Sequence, residues 1–250
     1  MKKVSKRAET FPGKRSLSPA GLTIDVVTLF KKFFKSPLNE SLIKKAQSKG
    51  LVKIRVHDLR GWTHDRHKTA DDKPFGGGAG MVMKPEPIFE CVEEIGKGAW
   101  VVLLDPQGEP MSQKLARHLA EKKHLVLIAG HYEGVDQRVK EHLVDQEVSV
   151  GDFITMGGEA PALCLIEAVI RLLPGVLGNA DSVEHESFES GLLEYPQYTR
   201  PRDFRGWKVP EILVSGDHQK VKAWRHAAAE QVTLQKRPDL LKSSKKARIV

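Results

Sequence analysis

Three apolar runs of strand length, VVLLDPQG (101–108), LVLIAGHYEG (125–134) and SVGDFITMGGE (149–159), each break off at a turn rich in Gly or Pro, and stretches of helical period lie between them. Short apolar runs bounded by turn residues read as strands buried on both faces. Strands alternating with helices predict a mostly parallel sheet with helices on both sides. In an open sheet of this kind ligands bind outside the carboxyl ends of the strands. The third run is the most telling. Gly151, Gly157 and Gly158 let backbone groups approach a ligand without a Cβ in the way, and Pro161 falls in the first turn of a long apolar helix beginning near Glu159. Three strand ends therefore point to one crevice.

The rest of the chain fits the same series. TIDVVTLF (23–30) reads as a first buried strand, SLIKKAQSKG as a helix closing on Gly50, and LVKIRVHDL as a second strand. Helices are expected over Pro87–Ile95, after a Ser112 N-cap, near Val135–His142 and over Glu159–Leu173. Between the second strand and Pro87 lies a polar loop, Arg60 to Lys84, that is too long to be a plain connection. Residues 174 to 208 lack a clear period and read as a linker. From Val209 the spacing predicts a small helical unit capped by Ser215. The expected organisation is a disordered basic extension over 1–20, an α/β domain over 21–173, the linker, and a helical domain with a basic tail over 209–250.

The formal net charge of +8 invites a nucleic-acid reading, but residues 1–20 and 236–250 together carry +10. Residues 21–235 thus sum to −2, so global charge by itself is weak support for nucleic-acid binding. Cys91 and Cys164 both lie in apolar helical patterns, which suits a reduced cytoplasmic protein. No apolar core of signal-peptide length opens the chain, and no run of about 18 apolar residues predicts a membrane span.

Several polar groups are candidates for chemistry. FGGGAGM (75–81) lacks the Lys-Ser/Thr of a phosphate-binding P-loop and the third glycine of a dinucleotide fingerprint. His64, Asp65 and His67 have metal-ligand chemistry but no rigid element to fix them, so an internal hydrogen-bonded turn or contacts to a substrate backbone fit better. Glu133 stands at a strand end, where it either binds a cation or complements a helix start. Arg171 is the charge late in an apolar helix, where the helix dipole favours a cation in any case. Asp181, Glu184, Glu186 and Glu189, with His185, form an acidic cluster before the aromatic and basic run EYPQYTRPRDFRGWK (194–208).

Taken together, THDRHKTADDKPFGGGAGM, LLDPQG, AGHYEGVDQRV, SVGDFITMGGE, IRLLPGVLGN and LLEYPQYTRP resemble the bacterial tRNA (guanine-N1)-methyltransferases, in the same order and with similar spacing, over roughly Leu22 to Leu241. The resemblance implies a SPOUT methyltransferase fold, whose α/β domain is tied in a deep trefoil knot, a rare exception to the rule against threaded chains. It implies S-adenosyl-L-methionine as methyl donor, tRNA as substrate, a homodimer with a shared active site, and methylation at N1 of the guanine 3′ of the anticodon, position 37, when another guanine precedes it. A role for Mg²⁺ is left open, and no resident metal site is expected.

By the same resemblance, Gly130, Val150, Gly151, Asp152, Phe153, Ile154 and Thr155 would hold the methyl donor through backbone groups, with Glu133 and the Pro106–Gly108 turn nearby. Arg171 aligns with the arginine used in catalysis. Glu186 occupies the place, just before Ser-Phe, where relatives usually carry the aspartate that acts as base, and His131 stands where many carry arginine. Glutamate keeps the basicity and adds a methylene, so a catalytically weak or inactive tRNA-binding homologue is the alternative. A metal-dependent hydrolase built on the His64 loop is a third reading.

Overall fold

The computed structural model describes residues 21–178 and 186–241. The chain divides into two compact units, Met1–Leu177 and Gly178–Val250. The N-terminal extension expected over 1–20 and the basic tail from residue 242 lie outside the described residues.

The first unit is a mixed α/β structure around a five-stranded sheet. Its strands are β1 (Leu22–Thr28), β2 (Val52–Asp58), β5 (Trp100–Pro110), β6 (His124–Ala129) and β7 (Gln146–Ser149), in the order β2-β1-β6-β5-β7. Every pairing in this sheet is parallel. The two-residue strands β3 (Asp71–Asp72) and β4 (Val82–Met83) pair separately within the long polar loop.

Alternation along the strands divides the core. Ile24 and Val26 of β1, Val102 and Leu104 of β5, and Leu125 and Leu127 of β6 pack on one face with α1 (Ser41–Ser48), α3 (Gln113–Ala120) and α5 (Glu159–Ile170). The intervening Val27, Val101, Leu103, Val126 and Ile128 pack on the other with α2 (Pro85–Ile95) and α4 (Gln137–His142). A strand buried on both faces has no polar side to show, which is why these segments read as continuous apolar runs. The Ser112 cap forms as its position implies, accepting a hydrogen bond from the Leu115 N–H at 3.2 Å.

Asp25 breaks the apolar run of β1 and is completely buried. Register explains how it is tolerated. Asp25 lies opposite Arg55 of β2, with His57 two residues further along, while His124 of β6 lies opposite Thr23. Arg55 forks onto both carboxylate oxygens, with Nε donating to Oδ1 at 2.6 Å; His57 Nε2 is 2.6 Å from Oδ1 and His124 Nε2 is 2.7 Å from Oδ2. Burial alone would raise the pKa of this carboxyl, but the bonds from His57, Arg55 and His124 outweigh it and hold the group well below the usual carboxylate range. The cluster ties three adjacent strands together at one end of the sheet.

The second unit contains the antiparallel pair β8 (Asp203–Phe204) and β9 (Trp207–Lys208), a 3-10 turn over Glu211–Val214, and α6 (His218–Lys236). The cap of α6 differs from the sequence expectation. Asp217 accepts from the Lys220 N–H at 3.1 Å, whereas the Ser215 hydroxyl donates to the Ile212 carbonyl at 2.8 Å and accepts from the Asp217 N–H. Two capping residues stand two positions apart, and the preceding 3-10 turn takes Ser215 for its own carbonyl. The stretch 174–208 is more than a connection. Val176 is buried in the core of the first unit, while in the second the Leu193 N–H donates to Thr233 Oγ1 on α6 at 2.8 Å and the Arg225 guanidinium lies over the Tyr195 ring at 4.8 Å.

Asp25 gives the fold a pH signature. Because its folded pKa is lowered from 3.8, its contribution to stability is complete above that value and is lost as the pH falls below it towards the folded value. Asp25→Asn should lower unfolding stability by about 3–5 kcal/mol at pH 7, since two histidines and an arginine lose a buried charged partner. Urea titrations should show the gap to the unmodified protein narrowing below the unfolded value of 3.8.

Candidate active site

The crevice forms where β5, β6 and β7, neighbours in the sheet, come to their ends. After Leu104 the chain of β5 swings out of register and returns, so that Leu104 and Glu109 both lie opposite Val148 of β7. The excursion Asp105–Gly108 therefore stands away from the ladder as a turn. Gly108 passes so close to β7 that a Cβ there would sit 2.4 Å from both the Glu147 carbonyl carbon and the Val148 nitrogen. No other residue fits without moving the strand.

The loop leaving β7 folds back across the end of β6. The Gly158 N–H donates to the Gly130 carbonyl at 2.7 Å, and a Cβ on Gly158 would lie 2.7 Å from Ala129 Cα and 2.8 Å from the Gly130 nitrogen. Two backbones meet here with no space between them. The Ser149 hydroxyl donates to the Gly151 carbonyl at 3.1 Å and the Thr155 hydroxyl to the Gly157 carbonyl at 2.8 Å, which sets the loop at both ends. α5 then begins at Glu159, with Pro161 in its first turn.

These three ends enclose a cleft of about 560 Å³. That is within the ordinary size of a small-molecule site. Its walls are Leu103–Gln107 from β5 and its turn, Gly130–Val135 after β6, and Val148–Gly151 with Phe153–Gly158 after β7; Gln137, Lys140 and Pro161 complete them. Of the residues expected to hold a ligand, Gly130, Val150, Gly151, Phe153, Ile154 and Thr155 line the cleft, while Asp152 is exposed and does not. Glu133 and the Pro106–Gln107 segment line it as well.

The long polar loop reaches the cleft through backbone bonds. The Glu133 N–H donates to the Met81 carbonyl at 3.0 Å, the Met83 N–H to the Gly134 carbonyl at 2.9 Å, and the Asp136 N–H to the Met83 carbonyl at 3.0 Å. The glycine-rich FGGGAGM segment is thereby fastened to the residues after β6. Its upstream neighbours are engaged in local hydrogen bonds. Asp65 accepts from the N–H of His67 and from both the N–H and the hydroxyl of Thr69, closing an internal turn, and His64 Nε2 sits 2.6 Å from Glu90 Oε2. Among the described residues no group of three His, Cys, Asp or Glu side chains is placed to hold a metal ion.

Behind the cleft, the Thr28 hydroxyl donates to Glu159 Oε1 at 2.7 Å, and Glu159 Oε2 lies 3.6 Å from His131 Nδ1, too far for a hydrogen bond. Cys91 is a buried residue of α2, where burial pushes its thiol up to about 12, so it is inert as a nucleophile.

The two residues expected to carry catalysis stand in different units. Arg171 caps the C-terminus of α5 in the first unit and is half-buried. Glu186 belongs to the second unit, where the Glu189 N–H donates to its carbonyl at 3.3 Å. The following Ser187 hydroxyl accepts from the Glu194 N–H at 3.0 Å, which closes a compact turn beside α6. Asp181, Glu184 and His185 lie outside the described residues. Sequence reasoning missed Lys140 and Gln137 as cleft residues, because nothing in the short QRVKEH pattern distinguishes a lysine facing a distant turn from one facing water.

The family model for tRNA (guanine-1)-methyltransferase matches residues 22–243. A tRNA (guanine-N(1)-)-methyltransferase of Dictyoglomus turgidum is 54% identical over 224 residues, 89% of this chain and 91% of the relative. The enzyme of the same name from Geobacillus kaustophilus is 54% identical, covering 88% and 91% of the two chains, and that from Trichodesmium erythraeum is 53% identical, covering 89% and 99%. With its cleft at three parallel strand ends and a match running across nearly the whole length, the chain belongs to the tRNA (guanine-1)-methyltransferase family.

Proposed function

We propose that this protein transfers a methyl group from S-adenosyl-L-methionine to N1 of the guanine immediately 3′ of the anticodon, position 37 of tRNA. Family membership supports the activity, and the cleft at the ends of β5, β6 and β7 is the observation that carries its location. A cleft lined by Gly130, Gly134, Gly151, Gly157 and Gly158 and by both polar and apolar residues suits a ligand with an adenine edge and a ribose. When bound, the donor supplies an electrophilic methyl on a sulfonium centre. Gly130, Val150, Gly151, Phe153, Ile154 and Thr155 are assigned to hold it, with Asp152 at the rim. We read the return of the loop across Gly130 as part of a deep trefoil knot of the SPOUT type.

Guanine N1 carries a proton at neutral pH, so methylation there requires a base, and negative charge builds on O6 as that proton leaves. In this reading Glu186 takes the proton and Arg171 stabilises O6. Glutamate reaches one methylene further than aspartate, and the Glu194 N–H bond to the Ser187 hydroxyl orders the backbone just after it. No seat is assigned to Mg²⁺.

A homodimer is part of the proposal. Phe153, Ile154 and Met156 are 60%, 80% and 94% exposed, and α5 shows water the small apolar face of Ala160 and Cys164 beside half-buried Leu163. Apolar side chains presented this openly next to a ligand cleft mark an interface. The tRNA is assigned to the second unit in part through the β8–β9 hairpin. There Phe204 and Trp207 are exposed with ring centroids 6.1 Å apart, the Arg205 guanidinium lies 5.2 Å over Phe204, and Arg200, Arg202 and Lys208 are exposed nearby. Exposed aromatic rings interleaved with cations suit unstacked bases and phosphates. No helix among the described residues is long and apolar enough to cross a membrane, and the proposed place of work is the cytoplasm.

The test of the function is radiolabelled methyl transfer to tRNA with paired guanines at the anticodon boundary, beside tRNA in which the target guanine is replaced. Label only on the first establishes activity and site; none on either, with both ligands bound, leaves a tRNA-binding homologue. Glu186→Gln should lower kcat by about 10²–10⁴-fold while leaving methyl-donor affinity close to unchanged. Arg171→Ala should lower it by about 10²–10³-fold. Cys164→Arg, outside the cleft, should shift the sedimenting species from twice the chain mass to 27.9 kDa, with loss of transfer. A fully active monomer would refute the shared site.

A further inference from the structure

Lys140 of α4 lines the cleft with its side chain only 9% exposed, a rare setting for lysine. Its Nζ lies 2.8 Å from Asp105 Oδ2 and 3.1 Å from Glu147 Oε2, and donates to Gln107 Oε1 at 3.2 Å. An ammonium group has three protons, and three acceptors surround it. Two of those acceptors flank Pro106 in the turn that leaves β5. The third belongs to β7, at the residue whose backbone Gly108 nearly touches. The free end of the turn is closed from within, because Asp105 Oδ1 accepts from the Gln107 N–H at 2.8 Å. The excursion that forms one wall of the cleft is thus fastened to α4 and β7 through one cation.

Electrostatics make the arrangement exacting. Burial alone would lower the pKa of Lys140, but its bonds to Asp105 and Glu147 outweigh that and raise it, so the ammonium stays charged at neutral pH. Without it, two carboxylates would share the pocket edge with no counter-charge, and the turn carrying Asp105 would move away from β7.

We propose that Lys140 is a positioning residue for the methyl donor: it holds the Asp105–Gly108 turn in the form that makes the cleft wall, and touches no reacting atom. This rests on the reading that the cleft takes S-adenosyl-L-methionine. A side chain that only stabilised the fold would change the melting temperature and leave donor affinity alone. A positioning residue raises the Kd and KM for the donor and leaves kcat at saturation nearly unchanged, because neither base nor arginine has moved.

The experiment is calorimetric titration of S-adenosyl-L-methionine into the unmodified protein, Lys140→Met and Asp105→Asn, with steady-state transfer on the same samples. Lys140→Met should weaken donor binding about tenfold or more, with kcat at saturating donor within about threefold of the original. Asp105→Asn approaches the same contact from its other side and should also weaken binding, with the double variant losing less than the two single losses combined. Wild-type donor affinity in a folded Lys140→Met protein overturns the proposal. Should that variant fail to fold, unchanged affinity in Asp105→Asn overturns it equally. Absence of donor binding by the unmodified protein would remove the methyl-donor reading itself, a result distinct from either.

Discussion

The site depends on one close approach between backbones. The loop after β7 must return across the end of β6, and it does so through the Gly158 N–H bonded to the Gly130 carbonyl at 2.7 Å, with no room for a side chain between them. That contact fixes where Val150 to Gly157 lie and where α5 begins. A comparable approach, Gly108 against the backbone of β7, fixes the opposite wall. The cleft is shaped by where chains can pass. Side chains such as Lys140 then hold the passages in place.

The parallel sheet supplies the rigid base for this. Its inner strands β1, β5 and β6 bury both faces between helices, and the three strands that meet at the cleft follow one another in the sheet. Asp25 adds a specific register lock among β1, β2 and β6, since its partners meet it only in the observed alignment. A slip of one residue would turn the carboxylate towards the opposite apolar face. Ligand-binding loops vary and move, and such a base lets them do so without loosening the strand ends from which they spring.

What could be read from the sequence was what depends on local period. Runs such as Leu125–Ala129 and Val101–Leu104 announced buried strands, and the Gly and Pro residues after them announced the turns. The bulge in β5 was hidden because the apolar run stops at Leu104, while Glu109 and Pro110 rejoin the ladder with no apolar signal. The β8–β9 hairpin was hidden because two-residue strands have no period to detect. Lys140 meets Asp105 across 35 positions of chain, a relation set by the fold alone. Glu186 and Arg171 were reached through family resemblance, and neither spacing nor charge singles them out.

The central claim, that the methyl donor binds at the ends of β5, β6 and β7, is tested most directly by amide hydrogen exchange with and without S-adenosyl-L-methionine. Exchange should slow in peptides spanning Leu104–Glu109, Gly130–Val135 and Val150–Gly158, with α1 and the edge strand β2 unchanged. Protection confined to other segments, with these three unaffected at saturating donor, would contradict it.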